Sequence, residues 1–211
     1  VILPKPLIPY KGQTVIENII NHIDKYKVEN IFVSINFKKE IIKSYLKEVL
    51  PNKKIKFIEE KQFLGTCGSL SHFKNKNIKS CLVINCDTLL NIEFNELINY
   101  HNKFNYDLTL VGAIKKTVIP YGILKLDHEK LDLKKMEEKP SKKYLVNTGA
   151  YILNKRIIKL IPKDKKFNFN DLVDKIRSIK NLRIGVYPIN EKNWIDLGTW
   201  KEYEKNININ I

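Results

Sequence analysis

Residues 83–90 read VINCDTLL. Four apolar or neutral residues, Val83 to Cys86, run straight into Asp87. A carboxylate at the end of so apolar a strand needs a reason, because burying an unpaired charge costs several kcal/mol, on the order of the whole stability of a small domain. Asp87 therefore sits at a solvent-open strand end or holds something positive.

On the N-terminal side of this stretch, TVIENIINHIDKY (14–26) places apolar residues at 15, 16, 19, 20 and 23, one helical face, with Thr14 as its cap. NIFVSIN (30–36) reads as a buried strand. A helix over about 38–49, a strand over about 55–59 and a short helix after Gly65 follow. Beyond Asp87 the pattern predicts a helix over about 93–104 and a strand over about 107–115. Alternating strands and helices imply parallel pairing with helices on both faces. After residue 120, YGILKL, LVNTGAYIL and LRIGVYPI read as further strands, with helices near 155–161 and 170–179. The expectation is a three-layer α/β/α fold around a mostly parallel mixed sheet, with residues 1–211 as one domain. Ligands of open α/β sheets bind outside the carboxyl ends of the strands, and Asp87 lies at such an end. A cap for the following segment explains Asp87 equally well from this stretch alone.

The chain carries a formal net charge of +15, yet only Arg156, Arg177 and Arg183 among its 38 basic residues are arginines. Arginine is the favoured reader of base edges, and the lysine runs lack the interleaved aromatics on which single strands stack, so a nucleic-acid-binding module rests on net charge alone. Cys67, Cys81 and Cys86 have no paired-ligand spacing, which favours free thiols in a reducing cytosol. No apolar run approaches the roughly 18 residues of a membrane span. Cytoplasmic location with no membrane partner is expected.

The eight glycines are about half the usual share, so their places carry information. Gly65 and Gly68 fall in FLGTCGSL, Gly122 in PYGIL, Gly149 in VNTGAY and Gly198 in WIDLGTW. Singly each reads best as a turn or strand bend; together, beside polar residues at element ends, they suggest backbone approaching a ligand. LGTCGSL offers N–H groups near a helix start, a place for a base edge or a phosphate. Asp196 in WIDLGTW is a turn residue or a partner for Asp87, since two carboxylates with phosphate oxygens and water make a magnesium site. Glu138 and Lys139 in MEEKPS are a solvated pair or a sugar-hydroxyl acceptor beside a phosphate contact. Lys5, between two prolines, is a surface lysine or a phosphate contact on a stiff loop.

In order along the chain, LPKPLIPYKGQTVIENII, FIEEKQFLGTCGSL, VINCDTLL, YGILKL, MEEKP, VNTGAYILN and WIDLGTWKEYEK resemble the motifs of the sugar-1-phosphate nucleotidyltransferases, the nucleotide-sugar pyrophosphorylases. They span residues 3–205. The resemblance implies a Rossmann-like core and attack by a sugar 1-phosphate oxygen on the α-phosphorus of a nucleoside triphosphate, with pyrophosphate leaving. It implies that Asp87 and Asp196 hold Mg2+ and that Lys5 and Lys139 offset phosphate charge. Glu138, Gly122, Asn147 and Gly149 would line the sugar pocket, and Leu64, Gly65, Thr66 and Gly68 would lie against base and ribose. Such chemistry asks for alignment and charge neutralisation, which this residue set supplies.

Two departures stand out. The family opens with a strand and a glycine-rich loop of the form GGxGTRLxPL, whereas VILPKPLIPY reads as the loop that follows it, so the first strand and glycine-rich loop are expected upstream. Cys86 stands where the family commonly has Gly. The short form of the match resembles the single-domain members that make GDP- or dTDP-linked sugars for surface polysaccharides, with EEKP and VNTGAYIL closest in style to guanylyltransferases. The expected partners are a nucleoside triphosphate and a sugar 1-phosphate, with a homo-oligomer left open and nucleic acid excluded. A non-catalytic relative that binds sugar phosphate or nucleotide is the alternative.

Overall fold

The structure, a computed structural model, describes residues 3–26, 28–127, 129 and 131–207. Its strands are β1 (Pro9–Tyr10), β2 (Gln13–Thr14), β3 (Ile31–Ile35), β4 (Ile55–Glu59), β5 (Ser80–Ile84), β6 (Thr88–Leu90), β7 (Leu108–Val118), β8 (Ile123–Leu126), β9 (Leu133–Glu137), β10 (Ser141–Asn154), β11 (Ile184–Asn190) and β12 (Trp194–Asp196). The helices are α1 (Val15–Asp24), α2 (Lys39–Val49), α3 (Phe94–Lys103), α4 (Lys155–Ile158), α5 (Phe169–Arg177) and α6 (Trp200–Ile207). Helix α1 begins where its sequence directs: Glu17 N donates to Thr14 Oγ1 at 3.4 Å and Thr14 N donates to Glu17 Oε2 at 2.7 Å, a reciprocal cap. Its Ile16 and Ile20 then bury against Ile35, Ile42 and Leu46 beside the parallel pair β3–β4.

The central sheet has the order β11-β7-β10-β5. β7 and β11 pair in parallel, and β10 lies antiparallel to both β7 and β5. β5, β7 and β11 therefore share one direction, as the alternation of strands and helices implies, and β10 opposes them. The reason is local: the chain returns from β7 to β10 through the hairpin β8–β9 with no crossover helix, and such a return pairs antiparallel.

Side chains alternate across the sheet with period two. Leu108, Tyr151 and Leu153 pack with Ile157, Phe169, Leu172 and Ile176 on one face. Val111, Ala113, Ala150 and Ile152 pack with Leu90, Phe94 and Leu97 on the other. Helices thus cover both faces of a mixed sheet, the three-layer α/β/α arrangement. Among the described residues, no helix is long and apolar enough to cross a membrane.

Candidate active site

Strand β5 ends at Ile84, and Asn85 to Asp87 turn the chain into β6. Asn85 N donates to Gly149 O at 2.9 Å and Thr88 N to Asn85 O at 3.2 Å, which fixes the turn against β10. β12 pairs antiparallel with β6, setting Asp196 opposite Thr88, and Leu197 N donates to Asp87 O at 2.9 Å. This short ladder brings together two acids that are 109 positions apart. A β-carbon built on Gly198 would stand 3.0 Å from Asp87 Oδ2 and 3.0 Å from Asp196 Oδ1. Two oxygens each 3.0 Å from one point are at most 6.0 Å from each other.

Lys5 reaches the same point. Leu7 N donates to Pro4 O at 2.9 Å, closing a tight turn whose Leu7 is buried, and Lys5 Nζ donates to Gly198 O at 2.8 Å. Its ammonium is 4.0 Å from Asp87 Oδ2. The turn is anchored from behind, where Tyr10, Val15, Leu197 and Tyr203 form a small core and Tyr203 Oη donates to Pro9 O at 3.0 Å. Burial pushes the Asp87 carboxyl above its ordinary value, Lys5 pulls the other way, and the charge of Asp196 adds to the rise. A half-buried acid facing another acid, with one lysine 4.0 Å from the first, is an arrangement that a multivalent cation relieves.

Asp87, Asp196 and Gly198 lie in a cleft of about 570 Å³. Thr66, Asp87, Asn147, Gly149 and Asp196 line it, as do Gly198 and further polar or aromatic side chains that motif reading did not single out, among them Asn85, Thr88, Tyr151, Asn168, Asp171 and Trp194. Asn147 Nδ2 donates to Tyr151 Oη at 2.7 Å, and Tyr151 stacks on Phe169 at 3.6 Å. Gly149 has φ +82°, and a β-carbon there would stand 2.5 Å from Asn85 Nδ2, so glycine is required for the close approach of β10 to the Asp87 turn. Two of the missed residues carried a signal. Asn168 and Asp171 form the spaced pair of a helix start, with Asn168 N donating to Asp171 Oδ2 at 2.8 Å.

Leu64, Gly65 and Gly68 stand behind the cleft wall rather than on it. Leu64 is buried, Phe167 N donates to Leu64 O at 2.8 Å, and Cys67 N donates to Phe167 O at 3.1 Å. Gly65, at φ +79°, leaves room for Phe167 O and Asn168 Oδ1. From this strap Thr66 borders the cleft, its Oγ1 accepting from Phe169 N at 3.0 Å. Gly122, Glu138 and Lys139 are at the feet of the hairpin β8–β9, outside the cleft wall. A β-carbon on Gly122 would stand 3.1 Å from Glu138 Oε2, and Lys139 Nζ is 3.8 Å from Glu138 Oε1. Cys86 is exposed on the turn. A second cleft of about 390 Å³, bordered by Glu93, Glu96 and Tyr187, holds none of these residues.

Residues 2–209 match the family model for nucleotidyl transferases. The chain is 25% identical over 201 residues to the D-glycero-alpha-D-manno-heptose 1-phosphate guanylyltransferase of Campylobacter jejuni subsp. jejuni, covering 95% of this chain and 88% of that protein. It is 30% identical to the bifunctional protein GlmU of Methanocaldococcus jannaschii over 96% of this chain, and spans about half the length of that relative, 48%. Among solved structures, HddC from Yersinia pseudotuberculosis superposes with a TM-score of 0.74 at 26% identity, over 98% of this chain and 90% of that one, and the same protein complexed with GMP-PN matches equally.

Proposed function

The chain belongs to the nucleotidyl transferase family, and from that premise we propose that it is a sugar-1-phosphate guanylyltransferase. It would join GTP and a sugar 1-phosphate into a GDP-sugar, in the cytoplasm and in service of surface polysaccharide synthesis. The guanylyl assignment is supported by the heptose 1-phosphate guanylyltransferase relatives and by the HddC complex with GMP-PN. The observation that carries the chemistry is the convergence of Asp87, Asp196 and Lys5 on Gly198.

In the proposed reaction an oxygen of the sugar phosphate attacks the α-phosphorus of the nucleotide. The bond from that phosphorus to the bridging oxygen breaks, and pyrophosphate departs with the electron pair. No proton need move, so the protein's task is alignment and charge neutralisation. Lys5 would meet phosphate charge from the Gly198 side. Asn147 and Gly149 would border the sugar end of the cleft and Thr66 the nucleotide end, with Glu138 and Gly122 reaching the sugar from the hairpin's feet.

The carboxylates of Asp87 and Asp196 fit magnesium: both are hard oxygen donors, and the missing β-carbon of Gly198 leaves space between them. Among the described residues no three His, Cys, Asp or Glu side chains gather around one point, so phosphate oxygens and water would complete the shell. When bound, magnesium would offset the charge that builds on the phosphate oxygens.

The test is pyrophosphate release by the full-length protein, across a panel of nucleoside triphosphates and sugar 1-phosphates with magnesium. GTP is expected to lead. Release that prefers dTTP or UTP would overturn the guanylyl assignment, and nucleotide binding with no turnover on any pair would return the non-catalytic reading.

A further inference from the structure

Strand β5 begins at Ser80, opposite Asn154, the last residue of β10. Around that end Lys155 N donates to Lys79 O at 3.0 Å, Asn154 N to Asp107 O at 2.9 Å, Asp107 N to Arg183 O at 2.8 Å and Arg183 Nη1 to Phe104 O at 2.7 Å. Four segments far apart in the chain, 74–79, 102–107, 154–160 and 177–183, thus meet at one pole of the sheet. They hold ten of the 38 basic residues, all three arginines among them, and one acid, Asp107. That acid is fully buried and pairs with Arg156, so the pole keeps an excess of nine positive charges. The Asp87 turn lies past the other end of β5, roughly 17 Å away, so the phosphates of the proposed substrates do not account for this charge.

We propose that this pole docks on an anionic lipid surface, the headgroups of a membrane. Two exposed apolar side chains stand among the charges, Phe104 at 40% and Ile179 at 37%, each next in sequence to a lysine, Lys103 and Lys180. Cations around apolar side chains suit the boundary between headgroups and acyl chains. The rings of the pole do not suit stacking with bases, because their faces are already in use. Lys103 Nζ is 5.7 Å from the centre of the Phe104 ring, Tyr100 packs on that ring at 4.9 Å, and Arg183 lies 5.2 Å from the centre of Tyr106. Two of the arginines are committed within the chain, Arg156 to Asp107 and Arg183 to Phe104 O, so the pole offers diffuse charge rather than free forks for base edges. The expected lack of a membrane partner rests on the lack of a spanning run, and surface docking needs none. With the pole on the membrane, the cleft faces the aqueous side.

Co-sedimentation of the full-length protein with lipid vesicles tests this without substrates, so its failure leaves the proposed reaction untouched. The protein is expected to bind phosphatidylcholine vesicles containing about 30% phosphatidylglycerol, to ignore pure phosphatidylcholine, and to let go at about 1 M salt, where screening is nearly complete. Lys79→Glu with Lys103→Glu and Lys180→Glu should weaken binding at least about tenfold with unchanged circular dichroism. Should that variant misfold, glutamine at the same three positions decides, with a smaller loss in the same direction. Lys116→Glu with Lys142→Glu and Lys192→Glu makes the same change in net charge away from the pole, on exposed residues of β7, β10 and the approach to β12, and should keep binding. Equal losses in the two variants would assign binding to net charge and overturn the proposal. No binding to the anionic vesicles overturns it too, and retention of DNA or RNA at the same salt without vesicle binding would replace it with a nucleic-acid surface.

Discussion

Asp87 Oδ2 and Asp196 Oδ1 face one point, each 3.0 Å from where a β-carbon of Gly198 would be. The two acids are held there by backbone, through the β6–β12 ladder and the hydrogen bond from Leu197 N to Asp87 O. Such a pair is unfavourable by itself, because the charge of Asp196 adds to the cost of ionising Asp87. The fold tolerates it beside Lys5, and function supplies the reason to keep it.

Asp87→Asn should therefore abolish turnover and raise stability at neutral pH. The folded-state carboxyl titrates above its unfolded value because of burial, so the folded state binds more protons between those two points and stability falls as pH rises through them. Above that window the native protein carries a penalty that the amide lacks. Thermal unfolding from pH 3.5 to 8 should show the variant ahead by a few degrees at pH 7, with the gap closing below about pH 4. A variant less stable than the native protein at pH 7 would contradict this account of the Asp87 environment.

Magnesium should raise the melting temperature of the native protein without substrates, by mass action on the folded state. Asp87→Asn and Asp196→Asn should each lose that increment. Equal shifts in all three proteins would place the cation elsewhere.

Gly198→Ala should leave the fold intact and impair catalysis. The added methyl would stand between the two carboxylates, close enough that one must give by a few tenths of an ångström. A fall in kcat of about 10- to 100-fold is expected for such a displacement, with little change in melting temperature. Full activity in this variant would show that the acids need not converge.

Two glycines at similar φ should answer substitution differently. Gly149→Ala places its methyl into Asn85 at φ +82° and should cost about 2–4 kcal/mol by denaturant unfolding. Gly12→Ala, at φ +78° with open space around it, should cost about 1 kcal/mol, the backbone share alone. Equal losses would mean that the contact with Asn85 is easily relieved.

Local signals were legible. Thr14 and Glu17 start α1 by a bond pattern that their three-residue spacing already permits, and IKFIE reads as a strand over the residues that β4 occupies. Asp87 and Asp196 read as isolated acids at element ends and Gly149 as a glycine beside polar residues, while Asn147 enters through the family resemblance, and the structure brings the four to one cleft with Thr66 on its wall and Lys5 beside it. The strands β6 and β12 were not legible, because three residues each carry no periodicity and exist as strands through their pairing with each other. Tyr151 and Trp194 carry no motif signal of their own, and the structure places both on the cleft wall.

By itself, then, the sequence determined the elements whose reasons lie within a few residues: helix faces, caps, buried strands, and the glycines where a side chain would not fit. Tertiary structure alone decided that β10 runs against its neighbours, that Leu64 and Gly68 support the cleft from behind, and that Asp87 meets Asp196. Those outcomes depend on pairings between separate elements, from the return of β7 into β10 to the 109 positions between Asp87 and Asp196, which no short stretch encodes. Backbone hydrogen bonds fix them once the two faces of the sheet have been buried.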